Sequence, residues 1–165
     1  MPKDPQRQFL REKEARRLLL EFSEKIGCVT EKTFGHKPRI EAVETQGIEF
    51  LFVDGKPLIA RLDGIFFPTL IFSEAISFLP KIVVDMGAVP YVCNGADIMA
   101  PGVRKITGDF KENDFLLIID ERYGKPLAVG IALFNSQNMK KIERGKIVRN
   151  IHYVGDKIWS FIKNQ

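Results

Sequence analysis

The sequence predicts an α+β protein. A mixed αβ first half, residues 1–79, is followed by a small β-barrel over residues 80–165. Three observations lead there. An early segment carries apolar residues at three- and four-residue spacing, the mark of one amphipathic helix. The middle of the first half holds two apolar runs separated by a single Asp-Gly pair. From Pro80 onward, short apolar runs are broken by glycine and proline at near-even intervals, with room for only one or two helical turns between them.

The helix is set by Ala15, Leu18, Leu19, Phe22 and Ile26, with Gly27 as its stop. Arg7, Arg11, Arg16 and Arg17 lie off that stripe among Glu12 and Glu14 and read as a solvated face. IEFLFV, DG and KPLIARL then form a hairpin, because Asp54-Gly55 supplies the positive φ angles of a two-residue turn. RIEAVET at 39–45 is expected to pair beside it. Phe66, Phe67, Pro68 and Leu70 read as core, leading through Thr69 into a short helix over roughly 70–78 that Pro80 ends.

In the second half VVDMGAV reads as one strand with a bend, PYVCNGA as a helical turn and DIMAPGV as a strand. FLLIID and LAVGIALF flank ERYGKP as a hairpin. NSQNMKKIERG reads as a small helix capped by Asn135 or Ser136 and ended by Gly145. IVRNIHYV and KIWSFI are expected to close the chain as a third hairpin across Gly155-Asp156.

Composition narrows the function. The chain is 45% apolar and 28% charged, with 13 phenylalanines, as expected of a folded soluble protein. Its longest apolar runs are too short to cross a bilayer, and the charged N-terminal segment lacks the apolar stretch of a secretory signal, so a cytoplasmic location without membrane contact is expected. Cys28 and Cys93 read as free thiols, and with two histidines, His36 and His152, no metal site and no cofactor are expected. The net charge of +4 is uneven. Residues 1–79 carry 12 Lys+Arg and 12 Asp+Glu, whereas residues 80–165 carry 13 and 9. KKIERGKIVR at 140–149 holds five basic residues and one acidic. The imbalance suits a polyanionic partner and places it on the second half.

Catalytic signatures are missing. There is no GxxxxGK[ST], no GxGxxG after a strand and no GxSxG elbow. Asp63, Asp85, Asp97 and Asp120 are not brought together by any motif, and His152 reads as a structural histidine bonded to a neighbour. No enzyme and no catalytic residue are expected.

The remaining feature is NGADIMAPGVR at 94–104. Two glycines and a proline there suit either a bend at a sheet corner or a surface on which a sugar–phosphate chain can lie closely. VVDMGAVPYVCNGADIMAPGVR at 83–104 and NIHYVGDKIW at 150–159 resemble the opening and close of a PUA domain, an RNA-binding barrel. With GIFFPTL at 64–70 in front, the chain is similar to the malignant T-cell-amplified-sequence family of translation proteins, which place an αβ domain before a PUA domain. The resemblance implies an RNA-binding factor at the small ribosomal subunit, contacting tRNA or rRNA during initiation, reinitiation or recycling. A protein partner supplied in trans would use the first half. A second reading is an accessory subunit presenting RNA to a modifying enzyme. On the family's pattern the RNA surface comprises Gly95 and Gly102 for close approach, and Arg104, Lys105, Lys146 and Arg149 for phosphates. Asn94, Asp97 and Met99 would meet a base or terminal nucleotide.

Overall fold

The computed structural model describes residues 6–28 and 30–165; Val29 and residues 1–5, the start of the charged N-terminal segment, lie outside them. The chain divides into two compact units, Met1–Phe78 with Ile162–Gln165, and Leu79–Phe161. No helix among the described residues is long and apolar enough to cross a membrane.

In the first unit, β1 (Arg7–Phe9) precedes α1 (Glu12–Ile26) and α2 (Thr30–Phe34). Four strands follow, β2 (Ile40–Thr45), β3 (Ile48–Val53), β4 (Lys56–Leu62) and β5 (Ile65–Pro68), before α3 (Ser73–Ser77). The sheet is an antiparallel meander in the order β1-β2-β3-β4-β5. Helix α1 buries Ala15, Leu19, Phe22 and Ile26. Gly27 stops it with φ 86°, and its N–H donates to the Ser23 carbonyl at 2.8 Å, the left-handed stop that glycine adopts freely. Many of the phenylalanines fill this unit. Phe50, Phe52, Phe67 and Phe72 are all but inaccessible, and Phe22 stacks on Phe72 with ring centroids 6.1 Å apart.

Three differences from the sequence reading have local causes. Asp63-Gly64, with φ 52° and 79°, is a second tight Asp-Gly turn, so 65–68 is a strand on the sheet edge and the helix begins only at Ser73. Arg7 belongs to β1 and not to the solvated face of α1; its guanidinium covers the Phe52 ring at 5.0 Å, a cation–π contact. Gln46-Gly47 makes a further turn with both φ positive.

The second unit comprises β6 (Lys81–Val84), α4 (Val89–Val92), β7 (Ile98–Met99), a 3-10 turn (Ala100–Gly102), β8 (Val103–Thr107), β9 (Phe115–Asp120), β10 (Pro126–Ala132), α5 (Ser136–Met139), β11 (Lys146–Tyr153) and most of α6 (Lys157–Lys163), whose last two residues count with the first unit. The sheet order is β7-β11-β10-β9-β6-β8, with β6 and β9 parallel and the other pairs antiparallel. The two edge strands, β7 and β8, are neighbours in the chain, so the 3-10 turn between them curls the sheet round a core of Ile82, Val84, Ile98, Leu116, Ile118, Ala128 and Val148. DIMAPGV is therefore not one strand: Pro101 and Gly102 divide it into pieces serving opposite sheet edges. Likewise β6 ends at Val84, and DMGA forms a turn leading into α4, which Val89 begins.

Helix α5 stops at Met139, not at Gly145. Asn135 caps it, its side chain accepting from the Asn138 N–H at 2.8 Å. Met139 reaches the core, while Ile142, beyond the end of the helix, is half-buried. The expected third hairpin is a strand followed by a helix. Asp156 caps α6 by accepting the Trp159 N–H at 2.7 Å. Ile158 and Ile162, one helical turn apart, are both buried. The second oxygen of Asp156 holds the Tyr153 N–H and His152 Nδ1, each at 2.9 Å, so the fully buried His152 is bonded to a neighbour.

Candidate nucleic-acid interface

The chemistry-bearing residues of the second unit gather around the Ala100–Gly102 turn, which walls two grooves. The first, about 390 Å³, lies between α4 and the turn over a floor that includes Val84, Ala88, Val92 and Ile98. Tyr91 and Met99 line it with 70% and 49% of their surface exposed. Side chains of this size and apolarity are more often covered. The second, about 320 Å³, lies on the side of β8 and the α5–β11 segment.

Carboxylates at the first groove are neutralised. Asp85 accepts the Ala88 N–H at 2.8 Å, fastening the start of α4, and its other oxygen is 4.0 Å from Arg104. Arg104 also reaches Glu121 at 3.4 Å. Asp97 accepts the Asn150 backbone N–H at 2.9 Å and pairs with Lys146 at 2.7 Å. Burial alone would raise the Asp97 pKa. The Lys146 and Asn150 hydrogen bonds, with the charges of Lys146 and Arg149, outweigh it and hold the carboxyl below its ordinary value. Two of the four aspartates that no motif joins thus meet at one groove, each already engaged. At the end of α4, burial pushes the Cys93 thiol pKa up, keeping it protonated at neutral pH.

The predicted residues do not act alike. Asn94 and Met99 are exposed, while Asp97 is half-buried in its ion pair. Gly95, at φ 93°, lies against Tyr153: a Cβ there would stand 3.1 Å from the phenol oxygen and 3.2 Å from the ring. A Cβ on Gly102 would come within 3.3 Å of the Ala88 Cβ. Gly95 thus has a reason within the unit, its left-handed backbone against the Tyr153 ring, whereas at Gly102 a side chain would meet one tight contact with Ala88. Lys105 and Arg149 are exposed, and Arg104 shares its charge with two carboxylates.

A β-bulge sets the basic edge. Lys105 faces Val83 while Val103 faces Val84, so Arg104 is the extra residue of β8, and two cations adjacent in the chain line one groove. Three participants escape the sequence reading. Tyr91 carries no signal beyond being an aromatic in a predicted helical turn. Lys140, within the basic run, lines the second groove. Asn150 reaches far back along the chain, its amide donating to the Val92 and Ala96 carbonyls at 3.1 and 3.0 Å, and no local pattern announces that.

Comparison with known proteins gives this arrangement its place. Residues 80–154 match the PUA domain, and residues 6–73 match a domain of unknown function (DUF1947). An uncharacterized protein of Methanocaldococcus jannaschii is 37% identical, over 94% of this chain and 96% of its own length. Translation machinery-associated protein 20 of Saccharomyces cerevisiae is 28% identical over 83% of this chain and 80% of its own. Malignant T-cell-amplified sequence 1 of Rattus norvegicus is 33% identical over 68% of this chain and 64% of its own. Among solved structures, a PUA-domain protein of Aeropyrum pernix superposes with a TM-score of 0.83 at 28% identity, over 97% of this chain and 92% of that one. With the DUF1947 domain preceding the PUA domain in one chain, this protein belongs to the PUA-domain family of the malignant T-cell-amplified sequence proteins.

Proposed function

We propose that this protein is a cytoplasmic RNA-binding translation factor that acts at the small ribosomal subunit by binding rather than catalysis, contacting tRNA during initiation, reinitiation or recycling. The observation that carries the RNA-binding part is the first groove: an apolar slot with its carboxylates neutralised, edged by exposed Tyr91 and Met99, within a PUA domain in the half that holds all of the chain's net charge. A slot of that kind accepts the face of an unpaired base without reading its identity. Asn94 and Met99 stand at the surface to meet a base or terminal nucleotide, and Asp97 orients Lys146. Lys146 and Arg149 supply positive charge for phosphates, joined by Arg104 and Lys105 on the bulge, while Gly95 and Gly102 keep the surface in shape. The translation role is supported by the names of the relatives, and the first unit is the expected place for a protein partner.

The test is binding of the purified protein to small ribosomal subunits, with and without tRNA in the P site, at two salt concentrations. Binding that strengthens with tRNA is the expected result. Salt-sensitive binding indifferent to tRNA would place the RNA target elsewhere on the subunit, and no binding would overturn the translation role.

A further inference from the structure

The second groove has a chemistry the first lacks. Its rim is Arg104, Lys105 and Lys140, its floor includes Ile106, Ile142 and Ile147, and among the described residues no carboxylate lines it. Arg104 is held by Asp85 and Glu121, but Lys105 and Lys140 have no ion pair among the described residues. Lys141 and Arg144, both exposed, follow on the same loop with one exposed carboxylate, Glu143, between them. Two lysines without counter-charge, spaced across one groove by a bulged edge strand and a one-turn helix, concentrate positive potential beside a groove whose own charges are cancelled. The two grooves share the Ala100–Gly102 turn as a wall: Ala100 lines the second, Pro101 and Gly102 the first.

We propose that the second groove is a phosphate track for single-stranded RNA: a strand whose unpaired base sits in the first groove crosses the Ala100–Gly102 turn and lays its backbone phosphates against Lys105 and Lys140. This rests on the RNA-binding reading above and makes it specific. The ammonium groups are point charges that hold phosphate without reading sequence, and the apolar floor receives the ribose edge. RNA is favoured over an acidic protein segment because the basic groove is continuous, across one turn, with a slot suited to a base.

The experiment titrates full-length protein into a short fluorescein-labelled single-stranded oligoribonucleotide at several salt concentrations, following anisotropy. The variants are K105Q/K140Q, the arginine pair K105R/K140R, a matched loss of charge in the neutral half, K13Q/K56Q, and Tyr91→Ala. All of these side chains are exposed, so the folded state is retained. Losing two single-strand phosphate contacts should weaken binding and flatten the log–log salt slope by about 1.4 units. The arginine pair and the control should keep the wild-type slope, and Tyr91→Ala should weaken binding at an unchanged slope. If K105Q/K140Q binds with wild-type affinity and slope while Tyr91→Ala is impaired, the phosphate track is wrong and the base slot stands. If K105Q/K140Q loses binding to poly-glutamate but not to RNA, the groove belongs to an acidic protein segment and the proposal falls. A wild-type protein that does not bind the oligoribonucleotide overturns the track and the RNA-binding reading together.

Discussion

Gly130, in the middle of β10, shows how single residues carry this barrel. A Cβ there would collide with the Val148 side chain and lie 3.0 Å from the Arg149 carbonyl oxygen, because β10 and β11 approach closely where their register shifts. Gly130→Ala is expected to destabilise the protein by about 1–3 kcal/mol, measured by chemical denaturation. Asp120 is the corresponding polar case. It is almost fully buried and receives the Tyr123 N–H at 2.6 Å, the Arg122 N–H at 2.9 Å and the Lys125 N–H at 3.0 Å. Those bonds, the Tyr123 one foremost, hold its pKa below the ordinary value against the opposing effect of burial. A carboxylate depressed in the folded state stabilises it above the unfolded pKa of about 3.9 and loses that contribution as pH falls through the folded value. The melting temperature should therefore decline as pH drops below about 4, and Asp120→Asn should lower stability at pH 7 and reduce that acid-side decline. The spacing DERYGK marks a turn in the sequence, but the three donors converging on one carboxylate follow from how the turn folds back.

At the scale of elements, turn chemistry is the most legible feature. Asp54-Gly55 announces its hairpin, and Asp63-Gly64 carries the same signal and explains why 65–68 is a strand rather than the approach to a helix. Short segments are harder. KIWSFI suits a strand by composition, yet it is a helix because Asp156 caps it and the Ile158–Ile162 pair buries one face. Helix α4, a single turn, cannot be stable alone and is held from a distance. Asn150 supplies two side-chain bonds to the carbonyls of Val92 and Ala96 and a backbone bond to Asp97. Asn150→Ala leaves those carbonyls without their partner and should cost about 1–3 kcal/mol. It should also weaken RNA binding more than its stability loss accounts for, since the groove wall bearing Tyr91 is released; an amide hydrogen-exchange comparison of residues 89–97 would show that loosening.

For the whole molecule, charge is the organising quantity. Residues 1–79 are electrically neutral and the remainder carries the surplus of +4. Within the second unit the surplus is sorted again, because Asp85, Asp97 and Glu121 pair with Arg104 and Lys146 at half-exposed positions, while Lys105 and Lys140 have no ion pair among the described residues. Hydrogen exchange with and without a single-stranded oligoribonucleotide should therefore show added protection within residues 80–154 and none in 6–73. Protection appearing in the first unit would move the RNA contact away from the PUA domain.

The sequence by itself determined the fold class, the amphipathic first helix, the Asp-Gly hairpin and the family, because each of these rests on patterns within a few residues or on segments in a fixed order. It also located the excess charge, which is additive along the chain. What only the tertiary structure decided is which charges are paired and what each glycine packs against. Arg104 and Lys105 are adjacent in the chain, yet at the bulge Arg104 reaches two carboxylates distant in sequence while Lys105 has no ion pair among the described residues. Gly95 and Gly102 suit an approaching ligand when read from the sequence alone, and the fold adds Tyr153 and Ala88 within 3.1 and 3.3 Å of where their Cβ atoms would stand. Those outcomes depend on side chains brought together from across the sheet, and contacts of that kind leave no periodicity in the sequence to read.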